Sequence, residues 1–169
     1  MARTRKKDDA LQMLKQDHRE VETLFKEFEK LEQDGEEAVE QVIATACTEL
    51  KIHDKLETEV FYPAIREQAQ NEEVEDLLNE AEVEHTSVRN LIQTIEGMNG
   101  SDEKRNAHFT VLMEYVKHHV KEEEKEMFPK LKKLDIDFAT LGRQMKERKA
   151  ELMGEMGVEA EEESEDETA

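Results

Sequence analysis

The chain has 169 residues, a net charge of −20 and few aromatics, glycines or prolines; this suits one domain with a real core and favours helix over strand throughout. So acidic a chain excludes nucleic acid as a natural partner, and no apolar run approaches the roughly 20 residues needed to span a bilayer. The single cysteine, Cys47, excludes an internal disulfide and fits a reducing, cytoplasmic setting, where it reads as a small buried hydrophobe beside Ile43 and Leu50.

After a basic arm at 1–7, which leads into no apolar signal segment, a first helix is expected over 8–33. Its apolar seam, Leu11, Leu14, His18, Val21, Phe25 and Phe28, advances by threes and fours and has one polar member, His18. Asp34-Gly35 signals a stop and turn. The second helix, over 36–70, has the seam Val39, Ile43, Ala46, Leu50, His53, Glu57, Val60 and Ala64, with Pro63 near its far end as a kink point. The third, over 72–98, carries Val74, Leu78, Ala81, His85, Val88, Ile92 and Ile95. Ser101, followed by Asp102 and Glu103, opens the fourth, which runs to 133 on the seam Phe109, Leu112, Val116, His119, Glu123 and Met127. A further amphipathic helix, over 137–153 within a segment 135–153, shows Leu141, Met145, Arg148 and Leu152 on one side. From 154 onward the chain has eight acidic and no basic residues, the composition of a disordered, solvated tail.

The pattern is a duplicated helical hairpin over 8–134: a lone histidine on the first helix, then His-x-x-x-Glu, an aromatic and a proline on the second. His53 and Glu57 precede Pro63 by ten and six residues, and His119 and Glu123 precede Pro129 by the same distances. That spacing selects His119 and Glu123 over the adjacent pair His118 and Glu122, whose seam is less aliphatic. Folding the chain at its turns brings the polar positions to one depth within roughly 6 to 9 Å, at about 1.5 Å per residue. An all-α, up-down-up-down antiparallel four-helix bundle therefore gathers His18, His53, Glu57, His85, His119 and Glu123 in its core. Buried carboxylates need a compensating cation, and four imidazoles with two bridging carboxylates suit a pair of iron, manganese or zinc ions with about one open position on each.

At these residues the chain resembles the hemerythrin-like family, the HHE cation-binding domain. The resemblance covers about 8–134 and implies a non-haem di-iron centre, oxo- or hydroxo-bridged, with those six side chains as metal ligands. It implies handling of dioxygen, nitric oxide or peroxide in a stress-response or sensing role; the alternatives are an iron-holding or iron-sensing interaction protein with an unidentified protein partner, and a reversible oxygen carrier. Oxygen-carrying members have two histidines four apart on the third helix, whereas here Ala81 lies four before His85 and Arg89 four after. The chain is therefore expected to react with small oxidants rather than to store dioxygen. Beyond the six, His108 reads as half-exposed, Tyr115 as packing or as a neighbour of His119, and Glu22 and Glu84 as carboxylates able to replace a solvent ligand. The methionines, Met13, Met98, Met113 and Met127 among them, read as core filler.

Overall fold

In the computed structural model, which describes residues 9–158, the described residues are helical with short turns and no strand. Four rods form the bundle. The first is α1 (Ala10–Leu31), capped by Asp9, whose carboxylate accepts the Gln12 N–H. The second joins α2 (Glu36–Leu56), a π-helical turn (Glu57–Phe61) and α3 (Tyr62–Ala69). The third is α4 (Glu72–Glu96), capped by Asn71. The fourth joins α5 (Glu103–Glu122), a second π-helical turn (Glu123–Met127) and α6 (Phe128–Leu131). Its cap is Asp102 rather than Ser101, because the Asp102 carboxylate reaches the Lys104 N–H. Gly35 supplies the positive φ, 104°, from which α2 starts.

The rods close a ring in which α1 packs on α2 and α5, and α4 on α2, α3 and α5. The extra helix, α7 (Phe138–Glu155), lies across α1, α2 and the first π turn. It runs past residue 153, where the sequence reading ends it, and Met156 and Val158 still pack on the core. The N-terminal arm and the acidic tail from 159 onward lie outside the described residues. Among those described, no helix is long and apolar enough to cross a membrane.

The core is divided. One apolar cluster, with Leu14, Leu56, Phe61, Leu78 and Phe128, fills the end covered by α7. A second, with Val21, Phe25, Ile43, Ile92 and Phe109, fills the other end. Between them lies a layer of buried polar side chains. The π turns set the register on its far side. Each inserts an extra residue into its helix, with the Tyr62 and Phe128 N–H groups donating five residues back to the Glu57 and Glu123 carbonyls. Past Glu57 the buried positions are therefore Phe61, Tyr62 and Ile65, not the Val60 and Ala64 that a continuous helix predicts.

Candidate metal centre

The polar layer consists of the six residues singled out by spacing. Glu57 is wholly buried, Glu123 is 1% exposed, and His18, His53, His85 and His119 are 6 to 8% exposed. Rotation about α5 separates the neighbouring histidines: His119 faces the core, while the His118 side chain is 64% exposed.

The donor atoms form two groups that share carboxylates. His18, His53, Glu57 and Glu123 make one, and His85, His119 and Glu57 the other. Glu123 spans both, with Oε1 3.4 Å from His18 Nε2 and Oε2 3.2 Å from His119 Nε2. Glu57 Oε1 contacts His53 Nε2 and lies 3.7 Å from His85 Nε2 and 4.0 Å from His119 Nε2. The Nε2 atoms of His85 and His119 are 3.2 Å apart. Two donors at about 2.1 Å from one ion and at right angles lie about 3 Å from each other. The three separations of 3.2 to 3.4 Å are near that value, and the two longer ones from Glu57 exceed it.

The outward nitrogens are held by a circular arrangement. Asp17 on α1 is 2.9 Å from Nδ1 of His53 on α2. Asp54 on α2 is 2.6 Å from Nδ1 of His85 on α4, and Glu84 on α4 is 3.0 Å from Nδ1 of His119 on α5. Glu124, past α5, closes the circle 3.6 Å from Nδ1 of His18. A carboxylate only accepts, so the three closer contacts put a proton on Nδ1 and turn Nε2 toward the centre. Further out, Lys149 of α7 donates to Asp17 at 2.7 Å, and Arg89 grips Asp54 at 2.7 and 2.9 Å. The position four after His85 thus anchors an anchor.

Electrostatics shows what the layer needs. Burial alone would raise the Glu57 carboxyl, but the His53, His119 and His85 rings hold it well below the ordinary carboxylate range. Burial likewise disfavours a charged His53 or His119, yet the surrounding carboxylates lift both well above the usual imidazole value: Glu57 and Asp17 for His53, and Glu123, Glu57 and Glu84 for His119. Even so, both oxygens of Glu57, Oε1 of Glu123, Nε2 of His53 and both ring nitrogens of His18 are buried without a well-directed hydrogen bond. Unsatisfied buried donors and acceptors are costly, and cations among them would satisfy the inward-facing atoms, all but His18 Nδ1, which turns outward to Glu124.

Tyr62 was not singled out from the sequence. Wholly buried, it donates to Glu123 Oε2 at 2.9 Å and stands 3.1 Å from His85 Nε2. Burial and the charges of Glu123 and Glu57 push its hydroxyl well above the usual phenol range, so it is a neutral donor. Its counterpart five residues after Glu123 is Phe128, whose ring lies nearly parallel to His18 at 6.4 Å. The other candidates fall away from the centre. Tyr115 is 49% exposed, Glu22 is exposed, and His108 is hydrogen-bonded through Nδ1 to the Lys104 carbonyl. Glu84 supports His119 from outside. Cys47 is buried, with its thiol pushed up to about 12 by burial, too high for a reactive thiolate.

A family model for the hemerythrin HHE cation-binding domain matches residues 9–131. A solved structure of a hemerythrin HHE cation-binding domain-containing protein from Mycobacterium kansasii is similar to this chain at a TM-score of 0.72 and 23% identity, covering 87% of this chain and 88% of that one. The likeness establishes a common fold. No curated protein matches the chain. Its bundle, its buried histidine and glutamate layer and a match over most of its length lead to one assignment: the chain belongs to the hemerythrin HHE cation-binding domain family.

Proposed function

We propose that His18, His53, Glu57, His85, His119 and Glu123 hold two metal ions, with iron as the working metal, and that the loaded chain binds or reduces dioxygen, nitric oxide or peroxide in a cytoplasmic stress-response or sensing role. The observation that carries this reading is the set of buried, inward-facing donors left without hydrogen-bond partners, about 3 Å apart as neighbouring ligands of one ion are. Zinc or manganese would suit the same donors. A bound iron pair supplies two-electron redox chemistry toward small oxidants. His18 and His53 serve one ion, His85 and His119 the other, and the two glutamates span both. The Tyr62 hydroxyl, 3.1 Å from His85 Nε2, is a further oxygen donor where Ala81 offers none.

Access supports a small ligand. A cavity of about 40 Å³ reaches the histidines between walls of Val21, Leu50, Val88, Ile92, Val116 and Val120. That volume admits roughly three water-sized molecules. The aliphatic walls favour an uncharged diatomic or peroxide over an ionic substrate.

The test is anaerobic loading of the full chain with Fe²⁺, followed by dioxygen, nitric oxide or peroxide in a stopped-flow spectrometer. The expected result is rapid, irreversible conversion to a coupled ferric pair absorbing in the near ultraviolet. A stable oxygen complex that is released under vacuum would overturn the reading in favour of a carrier, and no iron uptake would overturn it altogether.

The circle of carboxylates gives a second expectation. Asp17→Ala removes the acceptor that fixes the His53 ring, so metal retention should weaken about 10- to 100-fold, read by competition with a chromophoric chelator. Unchanged retention would show that Asp17 serves only Lys149.

A further inference from the structure

Beside the buried centre, α4 and α5 present a third group of donors. On the outer surface, His118 Nε2 lies 3.1 Å from Glu122 Oε1 and 3.5 Å from Glu84 Oε2. All three offer donor atoms within 4.8 Å of one another. The His118 side chain is 64% exposed, and those of Glu84 and Glu122 are 21% and 27% exposed, so the group faces solvent. Glu80 and Glu126 bring further negative charge close to Glu122.

Glu84 belongs to two worlds. Its Oε1 backs the buried His119, while its Oε2 faces His118. The equivalent supports on α1 and α2 have permanent cations as outer partners: Lys149 for Asp17, Arg89 for Asp54. Glu84 instead faces an imidazole, itself a metal ligand. Directly inward, a small cavity of about 10 Å³ is bounded by Ala81, Glu84, His119, Glu122 and Glu123, space for about one water or ion. Glu123, 1% exposed, belongs to the lining of that cavity and is also part of the buried layer.

We propose that Glu84, His118 and Glu122 form a surface site for a divalent first-row metal ion and that this site is the entrance through which the buried centre is loaded. One imidazole and two carboxylates, with water completing the shell, suit Mn²⁺, Fe²⁺ or Zn²⁺. An ion held there has carboxylates along the way inward: Glu84 and Glu122 at the surface and Glu123 at the inner side of the small cavity. Passage is a sequence of ligand exchanges with no change in oxidation state. The entrance role rests on the reading of the buried centre as metal-holding; the outer site stands without it.

The experiment uses the full chain and Mn²⁺. Bound metal is counted by equilibrium dialysis and atomic absorption in the wild type, His118→Ala and Glu122→Gln, and the loading rate is followed by loss of the free-ion electron paramagnetic resonance signal. The wild type should bind one more Mn²⁺ per chain than either variant, and loading of the remaining ions should be about tenfold slower in the variants, the lower end of what loss of a supporting ligand costs. Equal counts overturn the site. Unequal counts with equal loading rates overturn its role as the entrance. If the buried centre itself took no metal, the wild type would hold one ion and His118→Ala none, so that failure is separately visible. Thermal melting of both variants, altered at exposed or half-buried positions, verifies that they fold.

Discussion

Stripping the metal from the loaded chain should lower its melting midpoint by about 15 to 30 °C. Two ions, each present at a thousandfold excess over its dissociation constant, contribute about 4 kcal/mol apiece by linkage. For a domain of this size, each kcal/mol corresponds to about 2 to 4 °C. The same conclusion follows from the layer: without a cation, Glu57 and Glu123 remain buried with oxygens that find no well-directed partner, and such groups weaken a core. Calorimetry of anaerobically iron-loaded protein with and without chelator measures the difference. Equal midpoints would mean that the layer is self-sufficient and not a metal centre.

The second large effect concerns stoichiometry. Glu57 belongs to both donor groups, so Glu57→Gln should cost most of both ions, whereas His119→Ala should cost chiefly the one it shares with His85. His118→Ala should leave the buried pair in place, because its side chain points to solvent. The metal content of the purified variants, counted per chain, separates these outcomes. A His119→Ala protein that keeps both ions beside a His118→Ala protein that loses them would reverse the assignment of ligands on α5.

The bundle and its polar layer were legible because one physical rule produces both. A step of three or four residues returns to the same helix face, so His18, His53, His85 and His119 had to join the apolar seams in which they stand. The repeat distances to Pro63 and Pro129 then chose between His118 and His119 without a structure. What failed was the assumption of an unbroken α-helical period. The π turns after Glu57 and Glu123 shift the register, which brings Tyr62 inward where a continuous helix puts its neighbours. Tyr115 was weighed for its one-turn spacing from His119, but it is half-exposed on the outer face of α5.

The circle of supporting carboxylates was hidden for a different reason. Asp17, Asp54 and Glu84 each adjoin a core histidine in sequence, which looks like a local pairing, yet each serves the histidine of the following rod. Adjacent residues on a helix point about 100° apart, so an acid beside a core histidine turns toward the neighbouring helix. The doublets Asp17-His18, His53-Asp54 and Glu84-His85 carried that signal in the sequence. The contribution of Lys149 could not be read in advance, because it depends on α7 lying across α1 and α2.

At the position five residues after the buried glutamate, the duplicated hairpins differ by one oxygen atom, carried by Tyr62 and absent from Phe128. One end of the centre therefore has a hydroxyl, bonded to Glu123 and close to His85. The other has a phenyl ring against His18, which excludes water and exchanges nothing. A molecule bridging the two ends would meet a hydroxyl at one atom and a hydrocarbon ring at the other. On the proposed function, a symmetric molecule such as dioxygen or peroxide would thereby gain a head and a tail, its two oxygens chemically different.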